Sequence, residues 1–342
     1  MVGIEVGKTV AVILAAGQST RMNTRLPKVL HEVCGRPMLD YVIDACRSVG
    51  TETIYVVVGY GKEQIIEKYE GQNDLVFVEQ KERRGTGHAV MMCREYLEGT
   101  DGQTLILCGD APLIRSETMQ TLLDKHLKEM SAVTVATAEL ADPHGYGRII
   151  RDDYGNIQGI VEHNDCTDEQ RKVREINTGY FCYKTPLLLE ALSKITPNNV
   201  KNEYYLTDAL HVLLAEGHKG TAVTAVAEED AMGVNNRQQL SLVGKIMQGR
   251  IQARLMADGV TIVDPPNTWI DDRARIGQDT VIEPFSCIRG RVQIGRDCRI
   301  GPFANIQDGT VLEDGVTVGA FTEVQNQSFN GGSRVESGTI LK

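Results

Sequence analysis

The sequence has no apolar run long enough to cross a membrane. Its apolar runs are short, such as residues 10–14 followed by Ala-Ala-Gly, whereas a membrane-spanning helix needs about 20 apolar residues. The first residues, Met-Val-Gly-Ile-Glu-Val-Gly-Lys, lack the basic region and the apolar core of a secretory signal. Together these absences predict a cytoplasmic protein without a membrane partner.

Closely spaced cysteines and an excess of positive charge are also missing. None of the eight cysteines forms a Cys-x-x-Cys pair, and their wide, irregular spacing predicts reduced, mostly buried thiols rather than disulfides or a zinc site. The net charge is −10, and an acidic chain is a poor non-specific binder of nucleic acid or anionic membranes. We therefore predict no nucleic-acid partner. A small anionic substrate is compatible, because its site needs only a few local cations.

The first part of the chain alternates between two patterns. The composition, 42% hydrophobic and 24% charged, is that of a globular protein, and 342 residues exceed one ordinary domain. Apolar, strand-like segments such as 9–14 and 104–108 alternate with segments of helical spacing such as 37–49 and 116–129. Strands that are apolar on both faces predict an α/β fold with a mostly parallel sheet covered on both sides.

The last part of the chain carries a repeat of six residues. Ten aliphatic residues occupy every sixth position from Ile270 to Val324, and small or β-branched residues recur four places after most of them. This spacing is typical of a parallel β-helix with one inward apolar residue per hexad and three hexads per coil, so we expect a little over three coils. The register is lost at Asn330, and we expect Phe329, the polar tail or a neighbouring subunit to cover the last coil.

A long segment of helical spacing separates the two patterns, and Pro265-Pro266 ends anything helical beyond it. The predicted domains are residues 1–237, a linker helix at 238–258 and a β-helix at 259–342. Within the first domain, residues 147–157 have the pattern of a hairpin, which predicts a β-rich insertion over the sheet.

Small residues and cations follow the first strand. Residues 14–17, Leu-Ala-Ala-Gly, come at the carboxyl end of a strand, where α/β sheets bind ligands and where backbone amides can approach a phosphate. The segment is neither a Walker loop nor G-x-G-x-x-G. Arg21 and Lys28 strengthen the hypothesis, because two cations beside such a loop can meet a polyphosphate, although most Lys and Arg residues are merely solvated.

A carboxylate follows a later strand. Residues 104–108 lead into Gly109-Asp110, and a carboxylate at this place suits Mg²⁺, which prefers hard oxygen ligands and needs few of them from the protein. The same aspartate could instead cap the following turn, and this pattern leaves both interpretations open.

Nine short motifs occur in order between residues 14 and 237. They are Leu14-Ala-Ala-Gly-x-x-Thr-Arg-Met, Pro27-Lys-Val-Leu, Gly85-Thr-Gly-His-Ala, Gly109-Asp-x-Pro-Leu, Gly145-Tyr-Gly-Arg-Ile, Ile160-Val-Glu-His, Glu175-Ile-Asn-Thr-Gly, Glu203-Tyr-Tyr-x-Thr-Asp and Gly233-Val-Asn-Asn-Arg. Together they resemble the uridylyltransferase domain of the bacterial N-acetylglucosamine-1-phosphate uridylyltransferase (GlmU) family, over residues 9 to about 240. The resemblance implies a Rossmann-like, GT-A-like nucleotidyltransferase domain followed by a short left-handed β-helix.

The resemblance also implies roles for individual residues. Those at the nucleotide are Leu14, Ala15, Ala16, Gly17, Arg21, Lys28, Gln80, Gly85, Thr86, Gly109 and Asp110, with Gln80 at the uracil edge. Those with catalytic roles are Arg21, Lys28 and Asp110. Those that bind Mg²⁺ are Asp110 and Asn235. Those at or near the sugar are Gly147, Glu162, Asn177, Tyr205, Thr207 and Asn235.

The reaction implied by the resemblance forms UDP-N-acetylglucosamine and pyrophosphate from UTP and N-acetylglucosamine-1-phosphate. The attacking phosphate oxygen is already anionic, so catalysis needs positioning and charge neutralisation rather than a general base. Two alternatives stay open: the same reaction on another sugar-1-phosphate, of glucose or N-acetylgalactosamine, and a non-catalytic scaffold that binds UDP-sugars. Retention of all four charged or metal-binding residues argues against the scaffold: Arg21, Lys28, Asp110 and Asn235.

The sequence departs from the family pattern at several positions. Ser19 stands where the family usually has glycine, and Cys108 replaces a tyrosine common before Gly-Asp. The family's β-helix carries an acetyltransferase, but here all seven histidines precede residue 219 and Gln307 replaces an expected arginine. We therefore predict no acetyltransferase activity, and we expect the β-helix to support a homotrimer.

Overall fold

The apolar strands of the first part of the chain form one mixed sheet. The computed structural model describes residues 7–18, 20–200 and 202–342, and the chain divides into two compact units. The α/β unit comprises the residues up to His31 and Met38–Gln239, and the β-helix unit comprises Glu32–Pro37 and Leu240–Lys342. The three contiguous domains predicted from the sequence do not anticipate that Glu32–Pro37 belongs to the β-helix unit.

Nine strands of the described residues make up the sheet of the α/β unit. Seven follow the order β11-β7-β10-β6-β1-β4-β5, and β8 and β9 form a hairpin that pairs with β10. β10 is antiparallel to β6 and β7, whereas the other neighbours along the path are parallel. The first eleven strands, of which β2 and β3 belong to the β-helix unit, are β1 (Lys8–Leu14), β2 (Glu32–Val33), β3 (Arg36–Pro37), β4 (Thr53–Val58), β5 (Leu75–Glu79), β6 (Gly102–Cys108), β7 (Val133–Glu139), β8 (Arg148–Arg151), β9 (Ile157–Val161), β10 (Glu175–Lys184) and β11 (Gly220–Thr224).

Helices cover both faces of this sheet, as the apolar strands predicted. On β1, Ala11 and Ile13 enter one core with α1 and α5, while Val10 and Val12 enter a second core with α3, α7 and α8. Full burial of one such aliphatic side chain contributes about 1.5–3 kcal/mol. The α-helices are α1 (Met38–Ser48), α2 (Lys62–Lys68), α3 (Thr86–Met91), α4 (Arg94–Leu97), α5 (Ser116–Glu129), α6 (Asp168–Arg171), α7 (Thr185–Lys194), α8 (Leu206–Ala215) and α9 (Arg237–Ala257). The 3-10 helices are Thr20–Met22, Lys28–Leu30, His163–Asp165, Glu228–Ala231 and Pro265–Asn267. None of the helices in the described part of the chain is long and apolar enough to span a bilayer.

The hexad repeat forms parallel strands in three sheets, the arrangement of a left-handed β-helix. The sheets hold five, five and four strands, and each strand pairs with the strand one coil further on. Nine of the ten predicted anchors are buried, and Ile276 is half-buried. The strands are β12 (Thr261–Ile262), β13 (Trp269–Ile270), β14 (Arg275–Ile276), β15 (Val281–Ile282), β16 (Cys287–Ile288), β17 (Gln293–Ile294), β18 (Arg299–Ile300), β19 (Asn305–Ile306), β20 (Val311–Leu312), β21 (Thr317–Val318), β22 (Glu323–Val324), β23 (Ser328–Phe329), β24 (Arg334–Val335) and β25 (Ile340–Leu341).

The six-residue register is lost before Asn330, as predicted, but the expectation of a little over three coils is too low, because fourteen short strands in three sheets run from Thr261 to Leu341. After Val324 the spacing shortens once to five residues at Phe329, and Val335 and Leu341 then resume the six-residue spacing. The turn after Val324 takes its left-handed residue, Asn326, one position early. Phe329, in β23, pairs with Leu312 of β20. It is therefore part of a coil and does not cover the last one.

Helix α9 supplies side-chain amides to the first coil. The Gln248 Nε2 donates to the Ile270 carbonyl at 2.5 Å, and the Ile270 N–H donates to the Gln248 Oε1 at 3.0 Å. The Gln252 Nε2 donates to the Thr268 carbonyl at 2.7 Å. Buried backbone groups need partners, so these two glutamines replace the strand that β13 lacks on this edge.

Candidate active site

The ends of β1 and β6 create the floor of the site. Both strands run parallel with Leu14 opposite Cys108, so the loops that follow them start side by side. The Gly109 N–H donates to the Leu14 carbonyl at 3.0 Å. Ala15 and Ala16 are buried, whereas a Cβ added to Gly17 would meet no heavy atom within 4 Å. The loop of residues 14–17 therefore exposes its backbone at Gly17, where the sequence predicts the nucleotide. Ser19, which departs from the family pattern, lies outside the described residues.

Four of the predicted residues meet just beyond this floor. The Lys28 ammonium contacts a carboxylate oxygen of Asp110 and donates to the Asn235 Oδ1 at 2.9 Å. The Arg21 Nη2 donates to the same Oδ1 at 2.9 Å. The side chains of Lys28 and Asp110 are only 14% and 22% exposed, so solvent screens this pair less than a surface ion pair. These residues come from three separate parts of the chain.

Short local structures hold these side chains in place. Arg21 lies in the 3-10 helix Thr20–Met22, and Lys28 opens the next one, directly after Pro27. Asn235 reaches them because the Val234 N–H donates to the Asp110 carbonyl at 2.9 Å.

Arg237 links the two 3-10 helices to the loop that carries Asn235. Its Nε donates to the Met22 carbonyl at 3.3 Å, and its Nη1 lies 3.4 Å from the His31 Nδ1. Burial, and then the Arg237 charge, lower the pKa of His31. Sequence reasoning assigned no role to Arg237, although the residue ends the last of the nine motifs.

The oxygen atoms at this point suit a divalent cation. One carboxylate and one amide oxygen, from Asp110 and Asn235, already converge on a cationic group, the ammonium of Lys28. Mg²⁺ prefers hard oxygens and is commonly held by one or two carboxylates together with substrate phosphates and water. Residues 7–18, 20–200 and 202–342 contain no cluster of three or more His, Cys, Asp or Glu that could hold a metal. The donors thus fit Mg²⁺ bound jointly with a phosphate.

Gln80 directly follows β5 and lies near the start of α3. Its buried side chain donates to the Gly85 carbonyl at 3.1 Å and lies 3.0 Å from the His88 Nδ1. Gly85 has a φ of +107°, and a Cβ there would lie 2.4 Å from the Tyr204 carbonyl oxygen. The Thr86 hydroxyl accepts from the Leu206 N–H at 3.1 Å. These contacts fix the Gln80 amide and leave no room for a side chain at position 85.

The predicted sugar residues form a second cluster. The Thr207 hydroxyl donates to the Glu162 Oε1 at 3.4 Å. A Cβ at Gly147 would lie 3.2 Å from the Ile160 Cγ2, 3.4 Å from the Glu162 Oε2 and 3.5 Å from the Asn177 Cβ, so Gly147 is a close neighbour of both polar residues. Burial, and then the carboxylates of Asp165 and Glu162, raise the pKa of Tyr205 to about 12, so Tyr205 is a neutral phenol at pH 7.

Cys108 lies between the sugar cluster and Asp110. Its Sγ would be 3.2 Å from a Cβ at Gly179, the glycine that follows Asn177 in the irregular part of β10. Burial, and then the Asp110 charge, raise the pKa of Cys108 to about 12. A protonated thiol is a poor nucleophile, so Cys108 shapes the site rather than reacting in it. All eight cysteines are free of disulfide bonds.

Comparisons with known proteins show which families and proteins this sequence resembles. Residues 11–175 match the family model of the MobA-like NTP transferase domain, and residues 273–307 and 291–326 match the bacterial transferase hexapeptide (six repeats). The chain is 47% identical over 281 residues to the bifunctional protein GlmU of Geobacillus sp. strain WCH70. It is 44% identical over 282 residues to the bifunctional protein GlmU of Listeria monocytogenes serotype 4b strain CLIP80459. Each alignment covers 82% of this chain, and the chain spans 61% of the length of these relatives. The comparisons confirm the predicted resemblance and the predicted fold class.

Proposed function

We propose that this chain, a homologue of the GlmU proteins with an NTP transferase domain, forms UDP-N-acetylglucosamine and pyrophosphate from UTP and N-acetylglucosamine-1-phosphate. The observation that carries the proposal is the convergence of two cations and two oxygen ligands at the carboxyl ends of β1 and β6. Charge neutralisation of a polyphosphate requires such cations and oxygen ligands in one place.

The reaction needs charge neutralisation more than proton transfer. A phosphate oxygen of the sugar-1-phosphate attacks the α-phosphorus of UTP in line, and pyrophosphate leaves. Arg21 and Lys28, whose cationic groups meet at the Asn235 Oδ1, stabilise the charge on the phosphates in the transition state. The attacking oxygen is anionic at neutral pH, so His88 and Cys108 are not required as bases.

A divalent metal is typical of this NTP transferase family, and we propose that the metal here is Mg²⁺. Asp110 and Asn235 would hold it. When bound, it would neutralise phosphate charge at the reacting centre.

The two side clusters select the substrates in this proposal. Gln80 faces the uracil, and the backbone of residues 14–17, Gly85, Thr86 and Gly109 encloses the nucleotide. The sugar cluster of Gly147, Glu162, Asn177, Tyr205 and Thr207 holds N-acetylglucosamine. The proximity of Glu162 and Asn177 to Gly147 supports this part, because it brings two polar side chains together beside a residue that has none.

We further propose that the protein is cytoplasmic and forms a homotrimer through its β-helix. Three phenylalanines, Phe285, Phe303 and Phe321, lie one coil apart, and their rings stack at 4.9 Å. They are 45–66% exposed, and an exposed apolar row of this kind is typical of an association surface. Light scattering after size-exclusion chromatography tests this part: the trimer mass is expected for the unmodified chain and a smaller mass for Phe321→Asp.

We expect no acetyl transfer by the β-helix described here. Residues 259–342 contain no histidine, and Gln307 and Gln325 stand where the family's acetyltransferase has basic residues. Consumption of acetyl-coenzyme A with glucosamine-1-phosphate would contradict this expectation.

The experiment that tests the function follows pyrophosphate release from UTP, N-acetylglucosamine-1-phosphate and Mg²⁺, with EDTA as the control. Metal-dependent release supports the proposal, and a panel with glucose- and N-acetylgalactosamine-1-phosphate then ranks the sugars. Faster release with another sugar would reassign the substrate. UTP binding without release from any sugar would favour the non-catalytic scaffold.

A further inference from the structure

An ion pair outside the predicted site joins the two segments that carry the proposed metal ligands. The Arg115 Nε lies 2.5 Å from the Asp230 Oδ2, and the Arg115 Nη2 lies 3.4 Å from the Oδ1 of the same carboxylate. The Nη2 also lies 3.1 Å from the Glu229 Oε1. Arg115 follows Asp110 by five residues, and Asp230 precedes Asn235 by five.

Burial makes this pair different from the surface ion pairs of the same unit. The Asp230 side chain is 2% exposed, whereas that of Arg115 is 43% exposed. A buried carboxylate that loses its cation is strongly destabilised, since the charge cannot return to water. Arg115 therefore helps to hold the 3-10 helix Glu228–Ala231, together with the Ala141 N–H, which donates to the Glu228 Oε1 at 2.8 Å.

A second contact connects the same two segments closer to the site. The Val234 N–H donates to the Asp110 carbonyl at 2.9 Å. Other contacts also connect these parts of the chain: the Thr118 hydroxyl donates to the Ala225 carbonyl at 3.2 Å, and Ala231 packs in the same apolar core as Ala111 and Ile114. The ion pair adds a charged contact to this set and limits how far one segment can shift against the other.

We propose that Arg115 and Asp230 are positioning residues that fix Asn235 relative to Asp110 and so set the affinity for the divalent cation. The inference rests on the proposed function, because it takes Asp110 and Asn235 as the metal ligands. Neither residue touches the phosphates, and their effect passes through the two segments.

The test measures Mn²⁺ binding to the full chain in the presence of UTP, by the loss of the free Mn²⁺ signal in electron paramagnetic resonance. We expect Arg115→Ala to weaken Mn²⁺ binding about tenfold, in line with changes of residues that orient metal ligands. Arg115→Lys should restore part of the affinity. The Mn²⁺ concentration for half-maximal pyrophosphate release should rise in parallel, while kcat at saturating Mn²⁺ changes much less.

The control is Arg47→Ala, which removes another arginine that binds both oxygens of an aspartate, Asp74, at 2.7 and 2.9 Å, and that also lies 3.8 Å from Asp44. That pair involves neither segment, so Mn²⁺ affinity should stay within about twofold of the unmodified protein, as for an exposed pair. If Arg115→Ala does not fold, Asp230→Asn, which keeps the size of the side chain, takes its place with the same expected direction.

Mn²⁺ affinity of the Arg115 or Asp230 variant equal to that of Arg47→Ala would overturn the inference. The two proposals can fail separately. Mn²⁺–UTP binding by the unmodified chain without pyrophosphate release would refute the proposed reaction and still test the positioning role. Pyrophosphate release with unaltered Mn²⁺ affinity in the variants would refute only the positioning role.

Discussion

The two units of the chain obtain their order in different ways. In the β-helix unit each inward residue pairs with its equivalent one coil away, as Ile282 does with Ile300. In the α/β unit the site depends on contacts such as that between Arg21 and Asn235, which are 214 residues apart. Because one kind of contact is repeated in every coil, the β-helix continues through a single five-residue step between Val324 and Phe329. In the proposed active site each charged group occurs once, so we expect that no neighbouring group replaces one that is lost.

The largest effect is expected for Lys28→Ala in the α/β unit. Removing one group that stabilises transition-state charge lowers kcat by about 10²–10³-fold. Pyrophosphate release under saturating substrates measures it, and the control is Lys194→Ala, which removes a lysine from an exposed ion-pair network with Glu190 and Glu216. An unchanged rate in Lys28→Ala would remove Lys28 from the mechanism.

A matching change in the β-helix unit should affect stability and leave the chemistry intact. Ile300 is fully buried, and Ile300→Ala is expected to cost about 2–5 kcal/mol, against about 0.5–1.5 kcal/mol for Ile300→Val. Denaturant unfolding measures the difference, and pyrophosphate release below the transition should stay at the level of the unmodified chain. A large fall in kcat would show that the two units do not separate stability from catalysis in this way.

Acid should destabilise the α/β unit more than the β-helix unit, because the α/β unit contains a buried histidine, His126. Burial lowers the pKa of His126 to about 4 in the folded chain, against about 6.5 when unfolded. Its imidazole accepts from the Thr134 hydroxyl and donates to the Gln103 Oε1, each at 2.9 Å. As the pH falls from 6.5 to 4 the unfolded chain binds a proton that the folded chain does not, so stability decreases by up to about 3 kcal/mol.

The β-helix unit contains no histidine and lacks this source of acid sensitivity. His126→Gln should therefore flatten the decrease in unfolding free energy between pH 6.5 and 4, as followed by urea titrations at several pH values. His144→Gln, which changes an exposed histidine, serves as the control. An unchanged pH dependence in His126→Gln would assign the acid sensitivity to other groups.

The smallest effect is expected at the edge of the first coil. Gln252→Leu removes the 2.7 Å hydrogen bond to the Thr268 carbonyl and leaves a buried acceptor with fewer partners, at a cost of about 1–3 kcal/mol. Thermal unfolding measures it, with the exposed Gln293→Leu as the control. Equal Tm values for the two variants would mean that solvent replaces Gln252 as the donor.

The periodicity of the apolar residues and the order of the motifs were enough to predict much of the architecture. The alternation in the first part of the chain predicted a sheet with two covered faces, and the hexad spacing predicted the coils. Both patterns depend on which way neighbouring side chains point, a local property that is visible in the residues themselves. The family resemblance then indicated the roles of Lys28, Asp110 and Asn235.

Local patterns could not predict two features of the structure. These are the membership of Glu32–Pro37 in the β-helix unit and the pairing of Arg115 with Asp230. Each depends on which distant segment packs against a residue. A surface arginine and one that holds a buried carboxylate look the same in sequence, because burial and partner are decided only when the chain has folded.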